Sequence, residues 1–171
     1  MEPINSIDPT ARLGCCFTGH RDLPADRLDD IIRATRARIV ECYEERGIVD
    51  FYAGGALGFD TIAAETVISL RDDEGLPIKL HLILPCPEQS KRWSEADKDR
   101  YGVTIRRSNT TRFTSDHYTR FCMHVRNRAL VDSSLFCIAY LEKASGGTAY
   151  TVDYAKKRGV EVANIASDIL K

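Results

Sequence analysis

Two glycine-rich segments of this 171-residue chain have the composition of anion-binding turns. The first runs from Phe51 to Thr61 and contains Gly54, Gly55 and Gly58, and the second is Ser145-Gly146-Gly147-Thr148. Each segment follows an apolar run and precedes a helical pattern, which predicts a strand, a turn and a helix. Glycine lets the backbone approach a ligand closely, and the first amides of a helix have no partner within that helix. Such termini attract phosphate groups, although a tight turn that binds nothing would give the same pattern.

Polar residues also follow the first apolar run of the chain. Thr18-Gly19-His20-Arg21 places a hydroxyl, an imidazole and a guanidinium within four positions. If that run is a strand of an open parallel sheet, these residues lie at its carboxyl end, where ligands bind in such sheets. His20 and Arg21 are equally consistent with solvated loop residues, since exposed loop residues are commonly polar.

Strand and helix signals alternate along the chain. Strands are predicted at 13–18, 48–53, 78–84, 135–141 and 160–165, and helices at 26–46, 60–71, from Ser94, at 119–131 and from the second glycine turn to Lys157. This alternation predicts an α/β fold, a single-domain Rossmann-like and doubly wound, mostly parallel sheet of about five to seven strands with helices on both faces. We expect residues 1–10 to form a loose N-terminal arm and residues 11–171 to form the domain.

A strongly charged segment, residues 88–107, lies between the third predicted strand and the helix at 119–131. Its composition is typical of a surface lid or flank, and Ser94 with Asp97 three positions later indicates the start of a helix there. Trp93 has two interpretations: it anchors this segment to the body of the protein, or it offers a stacking surface to a ring.

The charges of the chain balance, with 24 Lys and Arg against 25 Asp and Glu and a net charge of −1. No overall field then draws the protein to nucleic acid or to an anionic membrane, so we expect neither as a partner. No run approaches the roughly 18 apolar residues of a membrane span, and the first ten residues lack the apolar core of a signal peptide. The six cysteines lack metal-binding spacing and are expected to be reduced and mostly buried. We therefore expect a cytoplasmic protein that holds no metal and no cofactor.

The sequence resembles the SLOG superfamily, a Rossmann-like group that includes the LOG phosphoribohydrolases and the DNA-processing DprA proteins. Pro85-x-Pro87 followed by Gln89 and Trp93, together with Thr18-Gly19-His20-Arg21, is most similar to its YpsA-like DUF1273 branch. The resemblance covers nearly the whole chain. It implies that a nucleotide or a nucleotide-derived molecule binds at the paired glycine turns, and it leaves a homodimer open because many relatives dimerise.

Two further segments resemble LOG motifs. Tyr52-Ala53-Gly54-Gly55 with Gly58 is similar to the first LOG glycine motif, and Met123-His124-Val125-Arg126 is similar to the segment that supplies the LOG catalytic arginine. The second LOG motif is Pro-Gly-Gly-x-Gly-Thr-x-x-Glu, whereas Gly147-Thr148 is followed by Ala149, Tyr150 and Thr151, so the glutamate position is not acidic here. Asp60, Glu65 or Asp153 would have to supply a carboxylate, which must lie within hydrogen-bond reach of the reacting centre.

Three functions compete on this basis. The first is the binding or sensing of a nucleotide, phosphoribosyl or ADP-ribose-like ligand. The second is a LOG-like phosphoribohydrolase, an N-glycosidase acting on nucleoside monophosphates, with Arg126, Asp60 and Glu65 as the catalytic residues. The third, DNA binding as in DprA, is disfavoured by the balanced charge. The predicted ligand-binding residues are Thr18, Gly19, His20, Arg21, Gly54, Gly55, Gly58, Asp60, Arg126, Asn127, Gly146, Gly147 and Thr148.

Overall fold

The apolar runs of the sequence form the strands of one sheet in which every pairing is parallel. The computed structural model describes residues 13–169. The strands are β1 (Gly14–Gly19), β2 (Asp50–Ala53), β3 (Lys79–Leu84), β4 (Thr110–Phe113), β5 (Ser134–Tyr140) and β6 (Glu161–Asn164). The helices are α1 (Leu28–Arg46), α2 (Phe59–Asp72), α3 (Glu95–Arg107), α4 (Cys122–Asp132), α5 (Gly147–Lys157) and α6 (Ile165–Ile169).

The strands lie in the order β4-β3-β2-β1-β5-β6. This arrangement confirms the predicted Rossmann-like α/β fold. The residues expected to form an N-terminal arm, 1–10, lie outside the described residues. Within residues 13–169, no helix combines the length and the apolar character needed to cross a bilayer.

Each face of the sheet carries a hydrophobic core, because successive residues of a strand point to opposite sides. Cys15 and Phe17 of β1 pack with α1, α2 and α6, whereas Cys16 packs with α4 and α5 on the other face. Tyr101 and Ile105 of α3 pack against the first of these cores. All six cysteines are free thiols and are buried, as predicted.

The sequence pattern does not predict β4. All four of its residues are exposed at the edge of the sheet, so the strand has no buried apolar face that would reveal it. Backbone pairing with β3 and the side chain of His81 hold it in place. The His81 Nδ1 atom lies 2.7 Å from Thr110 Oγ1 of β4, and its Nε2 atom lies 2.7 Å from Asp50 Oδ1 of β2. His81 therefore connects three neighbouring strands.

The ends of the other predicted elements are close to the observed ones. Ser94 caps α3 as its spacing predicts, since its hydroxyl oxygen accepts a hydrogen bond from the Asp97 amide at 3.1 Å. The helix predicted at 119–131 begins three residues later, at Cys122. Trp93, just before α3, packs edge-on against Tyr101 of that helix with 5.1 Å between ring centroids, and Tyr101 in turn packs against the core.

Candidate functional site at the strand switch point

The chain builds the sheet outward from β1 in one direction through β4 and then returns to place β5 on the other side of β1. In open parallel sheets a crevice forms outside the carboxyl ends of the strands where this reversal occurs. A cavity of about 300 Å³ lies between the loops that follow β1 and β5. We call it the switch-point cavity. It is lined by ten of the thirteen predicted ligand-binding residues: Thr18, Gly19, His20, Arg21, Asp60, Arg126, Asn127, Gly146, Gly147 and Thr148.

The second glycine turn exposes its backbone to this cavity. Gly146 and Gly147 are exposed, and a Cβ atom added to either would meet no protein atom within 4 Å. Gly146 has a φ of 102°, which favours glycine, and no side chain caps the start of α5. The first backbone bond of the helix runs from the Tyr150 amide to the Gly146 carbonyl at 3.0 Å. The preceding amides of the turn therefore form an open helix N-terminus, the arrangement that binds phosphate groups.

The first glycine turn packs against protein atoms instead, although Gly55 and Gly58 also line a separate cavity of about 260 Å³. Gly54 and Gly55 are buried, and neither lines the switch-point cavity. A Cβ atom at Gly54 would lie 2.6 Å from Arg126 Nη1, and one at Gly55, whose φ is 69°, would lie 2.5 Å from Leu84 Cδ2. At Gly58, where φ is 80°, it would collide with the backbone carbonyl of Arg21. The structure therefore places these three glycines at close contacts within the protein.

Two backbone amides of the first turn are already hydrogen-bonded. The Ala56 amide donates to Asp60 Oδ2 at 3.2 Å, and the Phe59 amide donates to the His20 carbonyl at 3.1 Å. These bonds occupy donors that the sequence pattern assigns to a phosphate. The first turn therefore contributes the carboxylate of Asp60 to the cavity, and fewer of its backbone amides are available to bind an anion.

Arg126 is the most deeply buried charged residue of the cavity, with 4% of its surface exposed. Its Nη1 atom donates to the Gly54 carbonyl and, at 3.5 Å, to Gln89 Oε1, and its Nε atom donates to Asn127 Oδ1 at 2.8 Å. The partner of Nη2 is the sulfur of Met123 at 3.8 Å, a weak acceptor. Burial lowers the pKa of Arg126, and the charge of Asp60 opposes that shift. One edge of the guanidinium thus keeps hydrogen-bonding capacity for an anion.

Asp60 is buried beside Arg126 and Arg21. Only 6% of its surface is exposed, and burial raises its pKa, while Arg126, the Ala56 amide and Arg21 act in the opposite direction. Among the described hydrogen bonds, none joins the Asp60 carboxylate to the Arg126 guanidinium. Asp60 Oδ1 is therefore free to accept a hydroxyl donor such as that of a sugar.

The other candidate carboxylates point elsewhere. Glu65 accepts hydrogen bonds from Arg100, one of them at 2.7 Å from Nε, on the outer surface between α2 and α3. Asp153 pairs with Lys157 at 3.0 Å on the exposed side of α5. Neither lines the switch-point cavity. The structure brings Asp60 to Arg126 and does not bring Glu65 there.

His20 connects the two loops that border the cavity. Its Nε2 atom accepts hydrogen bonds from the backbone amides of Glu142 at 2.9 Å and Lys143 at 3.3 Å. An imidazole that accepts at Nε2 is neutral and carries its proton on Nδ1. Burial and, next, the charge of Lys143 lower the pKa of His20, which favours this neutral form.

The family of the chain follows from comparison with known proteins. Residues 16–169 match the model of the YspA SLOG family. The chain belongs to that family. It is 28% identical over 130 residues to a UPF0398 protein of Bacillus licheniformis, covering 74% of this chain and 70% of the relative. It is 30% identical over 131 residues to a UPF0398 protein of Halalkalibacterium halodurans, covering 75% and 68%.

Solved structures share the fold of this SLOG protein. One is DNA processing protein A from Helicobacter pylori, from a study of its single-stranded DNA binding mode, with a TM-score of 0.60 and 17% identity over 94% of this chain and 72% of that one. Another is DprA from Streptococcus pneumoniae, with a TM-score of 0.63 and 16% identity over 90% of this chain and 50% of that one. At these identities the likeness establishes the fold alone.

Sequence reasoning assigns no site role to two residues that lie at or beside the switch-point cavity. Lys143 lines the cavity two positions before Ser145, and that closeness to the second turn is the signal that marks it. Gln89 is buried and joins Arg126 to Tyr101, whose hydroxyl accepts from Gln89 Nε2 at 3.2 Å. Within residues 13–169, no group of three His, Cys, Asp or Glu side chains is placed to hold a metal ion.

Proposed function

We propose that the protein binds a nucleotide or a nucleotide-derived ligand of phosphoribosyl or ADP-ribose type in the switch-point cavity. A phosphate group lies against the backbone of Gly146, Gly147 and Thr148. The observation that carries this proposal is the open second turn, whose exposed glycines and uncapped helix N-terminus border the buried Arg126. A helix N-terminus and a guanidinium together favour a negatively charged group.

The other charges of the cavity support the same class of ligand. Arg21 and Lys143 add positive charge, and Asp60 is its acidic residue. In the bound complex, the cations contact the phosphate and the Asp60 carboxylate accepts a hydroxyl of the sugar. This division agrees with the chemistry of a ribose phosphate, which is anionic at one end and a hydrogen-bond donor at the other.

Substitution of Gly147 tests the proposal without disturbing the core. A side chain there meets open space, and an aspartate in the first turn of a helix is favourable for the helix itself. Gly147→Asp should therefore fold normally and repel a phosphate, while Gly147→Asn, of the same size and uncharged, serves as the matched control. The measurement is a thermal shift scan with AMP, ADP-ribose and ribose 5-phosphate.

The expected result is that at least one of these compounds stabilises the wild type. At about 100 times its dissociation constant a ligand adds roughly 2.7 kcal/mol, which is several degrees of melting temperature for a domain of this size. Gly147→Asp should lose that shift, and Gly147→Asn should keep part of it. An unchanged shift in Gly147→Asp would place the ligand elsewhere.

A phosphoribohydrolase is the second candidate function, and Asp60 is the observation that favours it. Asp60 is a buried carboxylate with a raised pKa in the same cavity as Arg126, which suits a group that assists at a ribose centre. Thr151, at the position of the LOG glutamate, instead donates its hydroxyl to the Gly147 carbonyl at 2.8 Å. We therefore rank binding first.

Base release decides between binding and hydrolysis. The hydrolase candidate predicts that adenine appears from AMP in proportion to protein and that Asp60→Asn abolishes its release. Glu65→Gln, which alters a surface ion pair, is the control and should leave the rate unchanged. Binding of AMP without release of adenine would leave the protein a binding domain.

A further inference from the structure

A second and larger cavity adjoins the switch-point cavity. It measures about 820 Å³, and its walls include residues 88, 89 and 91–93, His117 and Tyr118. Arg21 and Met123 line both cavities, so the two are adjacent. We call the larger one the aromatic cleft. A ligand seated at the second glycine turn has room to extend past Arg21 into it.

Two aromatic side chains offer ring surface in this cleft. Trp93 is half-buried, and its edge-on packing against Tyr101 fixes its orientation. Tyr118 is 64% exposed. The accessible faces of such rings can stack on nucleobases, because every base has an aromatic face.

The charges of the cleft are mostly positive. Arg21, Lys91 and Arg92 line it together with the single acidic residue Glu88. Among the ion pairs of residues 13–169, none involves Lys91 or Arg92. Exposed cations beside aromatic rings are complementary to a base that carries phosphate groups.

We propose that the aromatic cleft binds the base end of the ligand between Trp93 and Tyr118, with additional phosphate held by Lys91 and Arg92. This inference rests on the proposed function, because the other end of the same ligand occupies the switch-point cavity. It names the ligand class: a nucleoside diphosphate derivative or dinucleotide, in preference to a phosphosugar. A single strand of nucleic acid would use the same chemistry, but the net charge of −1 and the small extent of the basic surface favour a small molecule.

The single tryptophan of the chain makes the test direct. Three probes of increasing length, ribose 5-phosphate, AMP and ADP-ribose, are titrated by calorimetry to measure affinity and, in parallel, with the fluorescence of Trp93 followed. Ribose 5-phosphate should bind without quenching, whereas AMP and ADP-ribose should quench Trp93 as they bind. ADP-ribose should bind on the order of tenfold more tightly than ribose 5-phosphate, the effect expected from one stacked base.

Variants of the cleft separate this inference from the proposed function. Tyr118→Ala removes an exposed ring and should weaken ADP-ribose about tenfold while leaving ribose 5-phosphate unchanged. Trp93→Phe keeps a ring against Tyr101 and tests stacking if larger changes at position 93 prevent folding. Lys91→Gln with Arg92→Gln should weaken ADP-ribose more than AMP.

Each remaining outcome overturns the inference. If ADP-ribose binds with no quenching and equally well to Tyr118→Ala, the cleft is not part of the site and only the proposed function survives. If none of the three probes binds, both this inference and the proposed function are wrong. If a thymidine oligonucleotide quenches Trp93 in a salt-dependent manner while the three small probes do not bind, the cleft is a single-strand groove.

Discussion

The two glycine turns of this protein occupy equivalent places in their strand-turn-helix units and have opposite surroundings. Gly54 and Gly55 are buried, and the space of their missing side chains is taken by Arg126 and Leu84. Gly146 and Gly147 are exposed, and the corresponding space is empty and faces a cavity. A glycine motif therefore has two uses, to admit a neighbouring protein group or to admit a ligand, and only the contacts distinguish them.

Because of this difference, the two turns have different roles in the candidate site. The first turn positions side chains, because its Gly54 carbonyl holds Arg126 and its Ala56 amide holds Asp60. The second turn offers backbone, because nothing caps the first turn of α5. The predictions that follow test this division.

The largest predicted effect is the contrast in stability between the same glycine-to-alanine substitution in the two turns. Gly58→Ala puts a Cβ atom into the Arg21 backbone at a φ of 80°, and we expect it to lower the free energy of unfolding by about 3–5 kcal/mol. Gly147→Ala meets open space in a helix and should be neutral or stabilise by up to about 1 kcal/mol. Urea denaturation of both variants measures the contrast. Similar losses in the two would mean that the second turn is also a packing element.

Arg126→Ala should be the next most damaging change in the ligand-free protein. It leaves the buried Gly54 carbonyl without its partner and Asp60 without its strongest opposite charge, a loss of about 3 kcal/mol. Arg128→Ala, an exposed arginine of the same helix, is the matched control and should stay within about 0.5 kcal/mol. If Arg126→Ala melts like the wild type, Arg126 serves a ligand alone and does not link the first turn to α4.

The sequence predicts the fold and the position of the site better than it predicts what each residue does. Periodicity and glycine spacing indicate both turns and the carboxyl edge, because those features are local. The roles of Gly54 and Glu65 depend on Arg126 and Arg100, which lie 72 and 35 positions away along the chain. β4 is missed for a local reason, because an exposed edge strand of four residues has no apolar periodicity to detect.

Asp60 should make the ligand-free protein less stable as it ionises. Burial raises its pKa above the ordinary 3.8, so between 3.8 and the raised value the folded protein holds a proton that the unfolded chain has released. Stability relative to Asp60→Asn should therefore fall as the pH rises through that window. Thermal melts of both proteins from pH 3 to pH 7 measure the difference in stability. If the wild type instead becomes more stable relative to Asp60→Asn as the pH rises, the charges of Arg126 and Arg21 outweigh the effect of burial on the Asp60 pKa.

The smallest effect concerns His20, which joins the loop of the first strand to the loop that leads into the second turn. Its pKa is lowered from 6.5, so its contribution to stability is complete above pH 6.5 and is lost as the pH falls through the lowered value, because the unfolded chain then binds a proton that the folded form resists. His20→Gln keeps an acceptor for the Glu142 and Lys143 amides but does not titrate, so it should lose less stability than the wild type on acidification. Hydrogen exchange at those two amides provides a local readout: exchange corrected for intrinsic rate should accelerate below pH 6.5 in the wild type only. Equal acceleration in both proteins would mean that a group other than His20 loosens this loop on acidification. His20 would then hold the loop that leads into the second glycine turn without making it sensitive to pH.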